Sequence, residues 1–198
     1  SDSFNIPVYS TQAVHEGIAK NWCVKKKVSP NQVRYVEKGK TQQIGDFTVT
    51  PFAVPHDSSD CVGYCVQCEG ITFTLVTDCG HVTEEICAFV AKANYLVIEA
   101  NHEVEKLMAG PYPLYLKDRI TSQIGHLSNA ECARTIVENA TENLKHVWLC
   151  HLSDENNHPE LARIAVTSLM ESYGLRAGVD FIVEVLRRKI PSEIYDLK

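Results

Sequence analysis

A chain of 198 residues is long enough to bury one real core, and 44% hydrophobic with 22% charged residues excludes a disordered segment. A net charge of −6 excludes a protein that coats nucleic acid nonspecifically, and no apolar run is long enough to cross a bilayer. No charged-then-apolar leader opens the chain, so a cytoplasmic location is expected, with the eight scattered cysteines reduced and used as small core residues.

Ser1 to Asn5 lead directly into IPVYS, a short strand pattern, without an initiating Met, so a piece of something longer is expected. TQAVHEGIAKNW follows as a helix with Thr11 at its N-cap. Residues 25–45 are polar and basic, broken by Pro30, Gly39 and Gly45. The Lys25-Lys26-Lys27 run is expected to be a solvated stretch, with a DNA-backbone contact as the sharper alternative. Phe47 to Val54 alternate as a strand. VGYCVQC and ITFTLVT flank Glu69-Gly70 as a hairpin.

HVTEEICAFVAKA reads as a helix with Ile86, Phe89 and Val90 on one face, and NYLVIEAN as a buried strand ending on Glu99. Two helices separated by GPYP occupy Glu103 to Ile124. NAECARTIVENATENL is a helix capped by Ser128 or Asn129, and HVWLCHLS a strand ending at His151. PELARIAVTSLMESYG is a helix opened by Pro159 and closed by Gly174, and FIVEVL is a last strand. Strand and helix alternate in the second half, which gives an α/β layered sheet.

Three places share one grammar: an apolar strand, then a metal-capable side chain, then a loop. They are Val54-Pro55-His56-Asp57, Val76-Thr77-Asp78 and Leu149-Cys150-His151. Ligands in α/β sheets sit where strands give way to loops, and His and Asp are donors for Zn²⁺ or Mn²⁺. Taken singly, an Asp after a strand is a turn former or helix cap, and a lone His is a hydrogen-bonded structural residue. Spacing leaves both readings open. Cys65-x-x-Cys68 lacks a second pair, and its odd offset on a strand sends the two thiols to opposite faces, which argues against a zinc or redox module. His15, His81, His146 and His158 read as surface or packing residues.

The strings PHDSSDCVGY, LVTDCG, VIEANHEVEKLMAGPYP, RITSQIGHLSN and WLCHLSDENNHPELA resemble the YycJ (WalJ) branch of the metallo-β-lactamase fold hydrolases, in order and over nearly the whole chain. The resemblance implies an α/β, metallo-β-lactamase-like αββα sandwich, here a single partial domain over residues 1–198 amounting to its C-terminal three quarters. It implies a site for two divalent ions, Zn or Mn, with His56 and His151 as ligands and Asp78 as the bridging one. It implies His126 as a catalytic group at the leaving oxygen, and Glu99, His102, Ser128 and Asn129 as supporting or substrate-contacting residues. Asn156 and Asn157 order the His151 loop or belong to a plain loop. The implied activity of the complete protein is two-metal phosphodiester hydrolysis, exonuclease-like, with DNA as substrate; small-ester or thioester hydrolysis is the alternative. The family's His-x-His-x-Asp-His loop does not occur in this sequence. The chain alone is therefore expected to turn over little and to hold metal weakly or not at all, and a non-catalytic half-domain that dimerises through an uncovered sheet is the competing expectation.

Overall fold

The computed structural model describes residues 4–198, so the lead-in at Ser1, Asp2 and Ser3 lies outside the described residues. Val8–Ser10 (β1) is followed by Gln12–Lys20 (α1), whose first turn is closed by the Thr11 hydroxyl accepting from Val14 N at 3.4 Å. The breaker-rich stretch after it holds structure that its polarity conceals. A 3₁₀ turn at Pro30–Gln32 feeds Val33–Tyr35 (β2), which pairs in parallel with β1 as a separate two-stranded sheet. Gln42–Ile44 (β3) then enters the main sheet.

That main sheet has seven strands in chain order: β3, Phe47–Ala53 (β4), Val62–Cys68 (β5), Ile71–Val76 (β6), Tyr95–Glu99 (β7), His146–Cys150 (β8) and Ile182–Val185 (β9). The first three pairings are antiparallel and the last three parallel. The β5–β6 hairpin turns at Glu69 (φ 49) and Gly70 (φ 80), two successive left-handed residues, as a tight hairpin on a twisted sheet requires.

Direction is the functional consequence. Two antiparallel steps make β4 run the same way as β6, and β6, β7 and β8 are parallel. All four therefore end at the same edge, and the residues just past or at those ends are His56, Asp78, Glu99 and His151.

Helices Glu84–Lys92 (α2), Asn129–Asn139 (α5) and Pro159–Ser172 (α6) bury Ile86, Val90, Ile136 and Val166 against Val76, Leu96, Ile98, Val147 and Leu149 of the sheet. Complete burial of each such side chain contributes about 1.5–3 kcal/mol relative to exposure. Ser128 supplies both halves of a capping box with Glu131 at the start of α5. Two short helices, Val104–Ala109 (α3) and Leu114–Ile120 (α4), fill the long β7–α5 connection; α4 has no buried residue. The cysteines are all free thiols, with Cys65, Cys79 and Cys132 in the core. Among the described residues no helix is long and apolar enough to cross a membrane.

Candidate metal centre

The structure brings His56, Asp78, His126 and His151 to one point. Asp78 Oδ1 lies 3.6 Å from His56 Nε2, 3.6 Å from His151 Nε2 and 4.0 Å from His126 Nδ1. The His126 ring sits between the other two, with centroids 4.9 Å from His56 and 5.2 Å from His151. Two overlapping groups have donor atoms close enough to hold an ion: His56 with Asp78 and His126, and Glu99 with His126 and His151.

Each imidazole is oriented through Nδ1. His56 Nδ1–H donates to Gly125 O at 2.9 Å, His126 Nδ1–H to Glu99 Oε1 at 2.7 Å, and His151 Nδ1–H to the same Glu99 oxygen at 2.8 Å. Fixing the proton on Nδ1 leaves Nε2 as the lone-pair side, the arrangement in which a histidine ligates a cation. The 3.6 Å gaps between Nε2 atoms and the Asp78 oxygen are too long for hydrogen bonds. They match the spacing of donors around one ion, since bonds of 2.0–2.1 Å at tetrahedral angles place neighbouring donors about 3.4 Å apart. The donor set therefore fits a divalent cation.

Glu99, the last residue of β7, is fully buried, and its other oxygen accepts from Cys79 N at 2.7 Å. Burial pushes its carboxyl pKa up, but the hydrogen bonds from His126 and His151 outweigh this and hold it below the usual value. The same contact with Glu99 raises His151. Burial pushes the nearby Cys79 and Cys150 thiols up to about 12, so neither supplies a thiolate.

Backbone strain marks the same residues. Asp78 (φ 54) and His151 (φ 56) sit in the left-handed region, which costs a non-glycine residue about 1–2 kcal/mol. Asn101 Nδ2 holds the His151 carbonyl at 2.8 Å in that geometry. Behind Asp78, Gly80 leaves no room for a side chain: a Cβ there would stand 2.5 Å from Gln123 O and Gly125 N. The 119–126 loop is thus pressed onto the Asp78 turn, and it is this loop that carries Gly125 O to His56.

Of the residues singled out as supporting ones, Glu99 contacts two of the candidate groups, His126 and His151. His102 lies behind them: it is 2% exposed, its Nδ1 has no hydrogen-bond partner, and its backbone bridges Ser128. Ser128 is spent on the α5 cap, and buried Asn129 pairs with Asn157, whose amide also donates to Ala100 O at 2.8 Å. These residues build the framework behind the site rather than its open side. Asn156 and Asn157 are buried and tie down the segment after His151, which makes it more than a plain loop. The pair that sequence spacing had no means of finding is Asp57–Arg119, 62 residues apart, bonded twice at 2.5 and 3.0 Å.

Residues 2–151 match the family model described as the β-lactamase superfamily domain. The chain is 31% identical over 195 residues to the exodeoxyribonuclease YycJ of Bacillus anthracis, covering 96% of this chain and 71% of that protein. It is 38% identical over 157 residues to the exodeoxyribonuclease WalJ of Streptococcus pneumoniae, covering 79% of this chain and 58% of that one. Among solved structures it resembles the metallo-β-lactamase fold protein YhfI of Bacillus subtilis (TM-score 0.64, 16% identity, 94% of this chain and 64% of that one). It also resembles Zn²⁺-bound PqqB of Methylobacterium extorquens (TM-score 0.60, 16% identity, 91% and 64%). With its parallel strand ends delivering a His/Asp donor set and three quarters of its length matched, the chain belongs to the β-lactamase superfamily, in the metallo-β-lactamase fold, alongside the proteins named YycJ and WalJ.

Proposed function

We propose that this chain forms part of the active centre of a two-metal phosphodiesterase, an exonuclease acting on DNA. The observation that supports this most is the placing of two Nδ1-anchored imidazoles, His56 and His151, with Nε2 3.6 Å from the Asp78 carboxylate, a spacing that suits an ion and not a hydrogen bond, with the His126 ring between them. His56, Asp78 and His151 would hold the cations, Asp78 from the position between them. Divalent ions, when bound, supply the positive charge that activates water and neutralises charge developing on a phosphoryl group. His126 donates Nδ1–H to Glu99, which fixes its ring beside the candidate ligands, and its other nitrogen would pass a proton to the departing oxygen. Glu99 holds both imidazoles through Nδ1, and for His151 this turns Nε2 toward Asp78.

The test uses full-length protein with Mn²⁺ or Zn²⁺ and a DNA substrate. Degradation that disappears in Asp78→Ala supports the reading, and undiminished degradation in that variant refutes it. His126→Ala separates an acid from a ligand: kcat falls about 10²–10⁴-fold while metal content is retained. Loss of metal with His126 would reassign it to the ligand set.

A further inference from the structure

Helix α4 poses a packing problem of its own. None of its residues is fully buried, with only Leu116, Lys117 and Ile120 half-buried, yet it is fastened to the rest of the protein at both ends. Lys117 Nζ donates to Met108 O at 2.7 Å and Gly110 O at 2.8 Å, tying α4 to the end of α3. At its other end, Ile120 O accepts from His126 N at 2.9 Å, and Ile124 O accepts from Asp57 N at 3.0 Å. Leu114, Tyr115, Asp118 and Arg119 form its outward side.

Two of those side chains share a face. Tyr115 and Arg119 are four residues apart, one above the other on the helix and about 6 Å apart along its axis. Tyr115 is 74% exposed and the Arg119 side chain 59% exposed. Arg119 is held by Asp57, which accepts from its Nε and Nη2. Asp57 Oδ1 in turn lies 3.5 Å from His56 Nε2, so one carboxylate separates the guanidinium from the candidate metal centre. Two of five guanidinium N–H groups are used, and three remain to bind an anion in a fixed plane.

We infer that the Tyr115–Arg119 face of α4 binds the single DNA strand next to the scissile phosphate, Arg119 taking a neighbouring phosphate and Tyr115 stacking a base. The inference rests on the phosphodiesterase reading for its substrate. An exposed cation anchored beside the site and an exposed aromatic ring one helical turn away are the two parts of a single-strand binding surface. No basic groove is needed, which agrees with a chain of net charge −6.

The test is fluorescence anisotropy with full-length protein and a short fluorescein-labelled oligothymidine, in EDTA to stop cleavage, over a series of salt concentrations. Tyr115→Ala weakens binding about tenfold and leaves the salt dependence unchanged. Arg119→Ala weakens it and lowers the slope of log Kd against log salt by about 0.7, the value for one phosphate contact on a single strand. Arg119→Lys, which keeps charge without the fork, falls between. In steady-state cleavage the same variants show the loss mainly as raised KM. Because Tyr115 is 74% exposed, an unchanged melting temperature is expected for Tyr115→Ala and confirms that its fold survives.

Equal Kd for wild type and all variants overturns the inference, as does absence of binding by the wild type. So does a change of oligomeric state in Tyr115→Ala with DNA affinity intact, which would make α4 a protein contact. Wild type that binds with this variant pattern but cleaves no phosphodiester under any divalent metal would sink the phosphodiesterase reading and leave the surface standing. Cleavage with equal affinities would do the reverse.

Discussion

Glu99 is the residue on which most of the site's geometry turns. One of its oxygens receives Nδ1–H from both His126 and His151. Glu99→Gln keeps the shape, but the amide cannot serve both imidazoles in the same way, and metal affinity measured with a competing chelator falls about 10–100-fold. The pair also sets a pH dependence for the metal-free chain. The lowered Glu99 pKa contributes stability present above its unfolded value and lost as pH falls through the folded one. The raised His151 pKa contributes stability present below its unfolded value and lost as pH rises through the folded one. Thermal melts in EDTA should therefore peak between these two titrations, and Glu99→Gln should flatten both limbs. A wild-type profile without that peak would mean that the contact does not stabilise the fold. At Asp78, the left-handed backbone separates two substitutions: Asn tolerates it, whereas Ala costs about 1 kcal/mol more in chelator-treated melts.

At the scale of elements, strand ends carry the chemistry and one loop aligns it. The 119–126 segment supplies Gly125 O to His56, Ile124 O to Asp57 and Arg119 to Asp57. Gly80→Ala drives a Cβ into that loop at 2.5 Å, and the loop must shift. The expected outcome is a loss of about 1–3 kcal/mol in unfolding experiments together with reduced metal affinity, although no ligand is altered. Stability and metal affinity both equal to wild type would show that the loop is free to move.

Sequence patterning made the hairpin, the three core helices and the ends of β6, β7 and β8 readable, because period and turn chemistry are local. Strands β2 and β3 were not readable. Each is three residues long and polar, in a stretch punctuated by Pro30, Gly39 and Gly45, and only pairing with a neighbour makes them strands. For the site, the strand-then-donor grammar pointed to His56, Asp78 and His151. Their convergence needed the parallel directions of β4, β6, β7 and β8. His102 and Asn129 share the motif-rich segments but face inward, since a motif string does not say which side of a loop is open. Arg119 carries no local signal at all, and only the folded chain sets it beside Asp57.

Across the whole molecule, β5 and β6 of the main sheet carry side chains on both faces that are at least half-buried. Toward the helices it presents Cys65, Thr72, Thr74 and Val76; on the opposite face Tyr64 pairs with Leu75 and Val66 with Phe73, all half-buried. A sheet patterned this way suits burial from both sides, as in a two-sheet sandwich. The isolated 198-residue chain should consequently associate with itself through this face. Sedimentation velocity should show dimers or larger species, and Phe73→Lys should shift them toward monomer. Monomeric wild-type chain at every concentration would contradict this.

The central claim is that separate strand ends deliver one cation-binding cluster with Asp78 shared between the ions. The most direct measurement is divalent metal content of the full-length protein beside its Asp78→Asn variant, each purified without chelator. The account predicts about two ions per chain in the wild type and loss of both in the variant. Two ions retained without the Asp78 carboxylate would contradict it.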